Sequence, residues 1–212
     1  MGAILYPLYT VANLVLATWS ISLWQHSHHA NILLLMLVVA GMTYDNLIIS
    51  LGRLINEGVC LKLLNRLRFL LHDLLIPLLV VVAVKLASAA GVVWASQPIV
   101  FSGCWTIAFG LIGLGLVTNC KQLELAPITF AGSLRYKPKK SQVPILTILI
   151  ALLVGVAGFY IWREIQWPWM FVGTLVMFFG NALPTKIFGS LVGSAVDFIF
   201  MFALLATQIV LY

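Results

Sequence analysis

Residues 69–90, FLLHDLLIPLLVVVAVKLASAA, decide the fold class of this chain. About 20 predominantly apolar residues suffice for a helix to cross the roughly 30 Å hydrocarbon core of a bilayer, and this run has that length. Its charged groups are Asp73, near one end, and Lys85, near the other. Six further runs of the same kind fall near residues 3–24, 31–52, 99–119, 143–162, 168–185 and 187–211. The pattern predicts an all-α polytopic membrane protein, a seven-transmembrane-helix bundle forming one transmembrane domain over residues 1–212. Composition agrees: 62% of residues are hydrophobic, 8% are charged and the mean hydropathy is +1.09. Soluble domains carry about 25% charged residues, so a water-solvated enzyme and a disordered chain are both excluded.

The direction of the spans follows from the cations, because loops rich in Lys and Arg stay on the cytoplasmic side. Arg53, Lys62, Arg66, Arg68, Lys121, Arg135, Lys137, Lys139, Lys140 and Lys186 share the side that holds the N-terminus, against Arg163 and Lys85 on the other. The N-terminus is therefore predicted cytoplasmic and the C-terminal Tyr212 outside, in a plasma membrane, or an inner membrane if bacterial. The seven tryptophans then fall in the outer half, as an interfacial belt requires. Lys85 is read as snorkelling to that interface. The net charge of +6 is explained as topology rather than nucleic-acid binding. Arg135, Lys137, Lys139 and Lys140, in the longest loop, are candidates for contact with anionic headgroups of the inner leaflet.

Cys60, Cys104 and Cys120 are odd in number and widely spaced, which predicts free thiols rather than a zinc or disulfide framework. His26, His28 and His29 read as a wet connector between the first two spans. No phosphate-binding loop, nucleophile elbow or dinucleotide fingerprint occurs. The cofactor is left open.

The acids separate by place. Glu57, Glu124 and Glu164 lie in loops, whereas Asp45, Asp73 and Asp197 lie inside spans. A charged group at the centre of a membrane helix costs about 2.5–3.5 kcal/mol on insertion scales, and such groups default to functional roles. Counting about 1.5 Å per residue from the nearest cations puts Asp45, His72, Asp73 and Asp197 in the cytoplasmic half or near the midplane. Asp45, His72, Asp73 and Asp197 are the catalytic candidates. Tyr44, Asn46, Asn13 and Asn181 are the candidates for binding substrate. Gly189, Gly193 and Asp197 recur at helical spacing, as do Gly41 and Asp45, which turns both aspartates toward the bundle. The hairpin of spans two and three predicts Asp45 beside His72 or Asp73. Pro77 cannot donate to the carbonyl of Asp73, so a kink is expected next to that dipeptide.

These features suit an enzyme doing acid/base chemistry on a lipid or isoprenoid substrate. The alternatives are a proton- or cation-coupled transporter or channel, and a non-catalytic accessory subunit whose glycine faces pack on a membrane partner or a second copy.

Overall fold

A computed structural model describes residues 2–122, 124–139, 145–182 and 191–212. Eight α-helices occur among them: α1 (Gly2–Ser27), α2 (Ala30–Ile55), α3 (Val59–Leu75), α4 (Leu78–Ala89), α5 (Pro98–Gln122), α6 (Ile145–Ile165), α7 (Trp169–Ala182) and α8 (Leu191–Leu211). A 3-10 turn, Val93–Ser96, joins α4 to α5, and a two-stranded hairpin, β1 (Leu125–Phe130) with β2 (Ser133–Pro138), separates α5 from α6. Among the described residues six helical segments are long and apolar enough to cross a membrane, with α3 and α4 counted as the single segment Val59–Ala89. This is the composition of a multi-pass integral membrane protein. α7 is a seventh, shorter apolar helix of 14 residues.

Two boundaries differ from the hydropathy reading, each for a physical reason. The third segment starts at Val59, ten residues before the apolar run. The turn that precedes it is tight: Asn56 adopts φ 65° and Gly58 follows in extended backbone. From there α3 is amphipathic, burying Leu61, Asn65 and Arg68 at i, i+4 and i+7 while Lys62 and Arg66 face out. Such a helix is invisible to a search for uniformly apolar runs. The segment is broken at Pro77, where the amides of Leu79 and Val80 bond to the carbonyls of Ile76 and Pro77 in i→i−3 fashion. That is the kink expected where proline removes a donor.

The second difference is the hairpin, read from sequence as a plain loop. Its strands pair antiparallel with Leu125 opposite Pro138 and Phe130 opposite Ser133. Ala131 and Gly132 turn the chain with φ of 49° and 89°, the two positive values that a tight hairpin turn demands. Leu125 and Tyr136 pack with Ile48 of α2 and Leu61 of α3 in a small satellite core. At Gly52 the hairpin lies directly on α2, and a Cβ there would overlap the carbonyl of Leu134.

The main core surrounds α4, which buries Leu79 through Val84, Leu86 and Ala87 and is enclosed by α2, α5, α6 and α8. α1 packs on α2, α6 on α7, α7 on α8, and α8 back on α1, while α5 lies outside against α3 and α4. Closeness between α7 and α8 is permitted by Gly173 and Gly180, whose missing side chains are replaced by Ala203 and Val196.

Candidate functional site

α2 runs toward the hairpin and α3 returns from it, so residues equally far from the turn at 56–58 come level. Asp45 and Arg68 meet this condition, and they form an ion pair. Arg68 donates from Nε to Asp45 Oδ1 at 2.8 Å, and from Nη1 to Asn65 Oδ1 at 2.7 Å. Asn65, fully buried, donates in turn to the Leu61 carbonyl at 2.8 Å and accepts from the Tyr136 amide at 3.3 Å. The hairpin, the polar face of α3 and Asp45 thus belong to one network. The guanidinium is 8% exposed, whereas the Asp45 side chain keeps 37% exposure. Arg68 therefore fixes the carboxylate without covering it.

The exposed side of Asp45 opens into a cavity of about 110 Å³ between α2, α3, α4, α6, α7 and α8. His72, with 49% of its side chain exposed, lines the same cavity one turn beyond Arg68. Asp197 enters from α8, holding its Oδ1 on the Asn181 amide of α7 at 3.3 Å. Gly193 makes room for that asparagine, whose oxygen would stand 3.3 Å from a Cβ there. Asn46 lines the cavity and is 3% exposed; its Nδ2 donates to the Met42 carbonyl at 3.1 Å, and its Oδ1 has no hydrogen-bond partner among the described residues. Ser194 and Thr147 add hydroxyls. The rest of the wall is apolar, with Leu75, Leu79, Ile150, Met177, Phe200 and Met201 prominent.

Not every candidate reaches this chamber. Consecutive helical residues point about 100° apart, so His72 and Asp73 cannot both face it. Asp73 turns toward α5, where a Cβ on Gly115 would lie 2.9 Å from its Cβ and Cγ. Its Oδ1 lies 3.9 Å from His72 Nδ1, and its buried Oδ2 has no partner among the described residues. Tyr44 donates to the Leu64 carbonyl at 3.2 Å and ties α2 to α3 outside the cavity. Asn13 is buried on α1 and donates to the Tyr9 carbonyl at 2.8 Å. The Thr10–Ser50 contact at 3.3 Å sets Asn13 near the level of Asn46, since three residues forward on α1 match four back on antiparallel α2.

Neither a protein-family model, a curated protein nor a solved structure matches the chain. Function must therefore be argued from the chemistry of the chamber. Two carboxylates and an imidazole from three helices can hold and exchange protons around a bound molecule. Among the described residues no three His, Cys, Asp or Glu side chains converge closely enough to hold a metal ion.

Arg68, Asn65, Ser194 and Thr147 were missed as site residues. Arg68 reads in sequence as one more topology cation. Its symmetry with Asp45 about the Asn56–Gly58 turn is the signal that could have found it.

The headgroup candidates also separate. Arg135 is 2% exposed and donates from Nη1 to the Tyr6 hydroxyl at 3.2 Å, with its guanidinium 5.9 Å from the Tyr6 ring centre. Burial pushes its pKa down, and Tyr6 offsets part of this. Lys137 is half-buried. Burial first, then repulsion from Arg135 and Arg68, lowers its pKa. Lys139 is exposed and bridges to Glu124 at 3.1 Å across the open end of the hairpin. Lys140 lies outside the described residues, as do Lys186 and Gly189.

Proposed function

We propose that the protein is an intramembrane enzyme that performs acid/base chemistry on an amphiphilic lipid or isoprenoid substrate. The observation that carries this reading is the two-sided chamber. Asp45, His72 and Asp197 converge on one cavity whose remaining wall is made of Leu, Ile, Met and Phe side chains. A polar head fits beside the acids and an apolar tail beside the opposite wall, the usual division of a small-molecule site. His72 is the group with the most exposed side chain for transferring a proton. Asp45, clamped by Arg68, is an oriented carboxylate, and Asp197 a second one. Asp73 stands behind His72 and supports its orientation.

Seven spans with the N-terminus and the hairpin on the cytoplasmic side complete the proposal, on the strength of ten cations against two. The chamber then lies in the inner half of the membrane, and Lys137 and Lys139 lie near inner-leaflet headgroups.

The test is turnover. The purified protein in nanodiscs is incubated with a total lipid extract and the products are followed by mass spectrometry. Conversion of a lipid that is lost in Asp45→Asn, His72→Gln and Asp197→Asn, each still folded, supports the proposal. No conversion, together with a proton flux in proteoliposomes that the same variants abolish, overturns it in favour of transport.

A further inference from the structure

The chamber's polar wall has a sign and a hydrogen-bonding sense, and together they specify the head of the amphiphile. Among the described residues four ionisable side chains line it: Asp45, Arg68, His72 and Asp197. With both carboxylates ionised, their charges sum to −1 when His72 is neutral and to zero when it is protonated, so in that state the described lining carries no net positive charge. Arg68 does not alter this locally. Its Nε and Nη1 are committed to Asp45 and Asn65, and its charge is matched by Asp45. Arg135 does not line the cavity and donates to the Tyr6 hydroxyl. Asp73, beside His72, adds negative charge just outside the lining.

Open acceptors stand in the cavity beside the donors of Arg68 Nη2, His72, Ser194 and Thr147. Asn46 Oδ1 is buried and has no donor among the described residues, and the asparagine's own amide is tied to Met42. Asp45 and Asp197 each engage only Oδ1 among the described residues, leaving the second carboxylate oxygen of each. Of these three oxygens only that of Asn46 is buried and bears the cost of an unpaired acceptor, while the two open carboxylate oxygens attract a ligand that brings donors or positive charge. A phosphate brings acceptors and negative charge, and is opposed by the carboxylates of Asp45 and Asp197 and by Asp73 beside His72.

We infer that the chamber selects an amphiphile whose head donates hydrogen bonds, a primary ammonium first and a hydroxyl second, and rejects a phosphate or diphosphate head. This rests on the amphiphile-binding reading and narrows its substrate class to lipid amines and alcohols.

The experiment loads nanodiscs with dodecylamine, dodecanol or dodecyl phosphate at equal mole fraction and measures the adduct retained on the protein by native mass spectrometry. Hydrogen bonds to charged groups exceed neutral ones by roughly 1–1.5 kcal/mol. The amine adduct should therefore exceed the alcohol adduct about five- to twelvefold, and the phosphate adduct by at least as much. Asp197→Asn should lower amine retention severalfold while leaving alcohol retention within about twofold, a split that simple loss of packing does not produce. Equal or greater retention of dodecyl phosphate overturns the headgroup inference alone. Retention of none of the three overturns it together with the amphiphile reading.

Discussion

Removing Arg68 tests whether the network behind the chamber behaves as one unit. Arg68→Met keeps the apolar stem that lies within α3 but deletes two charge-assisted hydrogen bonds, at 2.8 and 2.7 Å. Bonds of this kind contribute about 1.5–3 kcal/mol each. Breaking a fully buried pair costs about 3–5 kcal/mol, but two features reduce that here. Asp45, at 37% exposure, can be rehydrated from the cavity, and Asn65 Oδ1 keeps the Tyr136 amide. The expected loss is about 2–4 kcal/mol. Asp45→Ala strands a guanidinium that is only 8% exposed and should cost a similar amount. Asp45→Asn, which keeps an acceptor facing Arg68, should cost about 1 kcal/mol. The double variant Arg68→Met/Asp45→Ala should then be less destabilised than the sum of its parts by about 1–3 kcal/mol, as contacting residues are. Reversible unfolding against SDS mole fraction in mixed micelles reads all four variants on one scale. If the double variant equals the sum within about 0.5 kcal/mol, the two groups do not interact and the clamp on Asp45 is refuted.

Other consequences follow from the hairpin and the thiols. Gly52→Val should detach the hairpin from α2, because the Leu134 carbonyl occupies the space of the new side chain; brief trypsin digestion should then cut after Arg135, a bond protected while that side chain is buried, and continued protection would show that the docking is not tight. The lowered pKa of Lys137 means the unfolded chain binds this proton more readily than the folded one. Stability should therefore rise as pH increases from the lowered value toward 10.5. Lys137→Met should remove that rise and stabilise the protein at neutral pH, and an unchanged alkaline limb of the unfolding curve would contradict the assignment. Cys60 is exposed at the start of α3, on the side assigned to the cytoplasm; in a Cys104→Ser/Cys120→Ser background an impermeant maleimide should label it only after permeabilisation, and labelling of intact cells would reverse the topology.

What could be read from the sequence follows the physics of each element. Helix phase placed Asp45 and Asp197 inward because small residues recur on the same faces, and Gly41 indeed lies against Leu75 while Gly193 lies against Asn181. Phase applied equally to His72 and Asp73 would have separated them, since neighbours on a helix diverge by about 100°; treating them as one dipeptide hid that Asp73 belongs to the α5 contact at Gly115. Arg68 was concealed by its type, for a cation near a loop carries the topology signal whether or not it also turns inward. Hairpin strands of six residues with mixed polarity leave little periodicity to read. Only Ala131-Gly132 between the two runs hints at the turn. Arg135 looked like a surface cation for the same reason, whereas its strand carries it under the hairpin to Tyr6.

Pro77 explains why one chamber can have two kinds of wall. Before it, α3 presents a polar inner face, Asn65, Arg68 and His72, that is maintained by partners from α2 and the hairpin. After it, α4 is buried almost all round by Val, Leu and Ala. An unbroken helix would carry one orientation through both halves. The break lets α3 turn its polar face to Asp45 while α4 sits at the centre of the apolar core. Leu75, Ile76 and Leu79, which flank the break, line the cavity together with His72. The polar and apolar walls therefore meet at the proline itself. On this reasoning Pro77→Ala, though it restores a backbone donor, should shift α3 relative to α4 and weaken retention of dodecylamine severalfold while leaving the protein as stable or more so. Unchanged retention would separate the kink from the chamber and leave it a feature of packing alone.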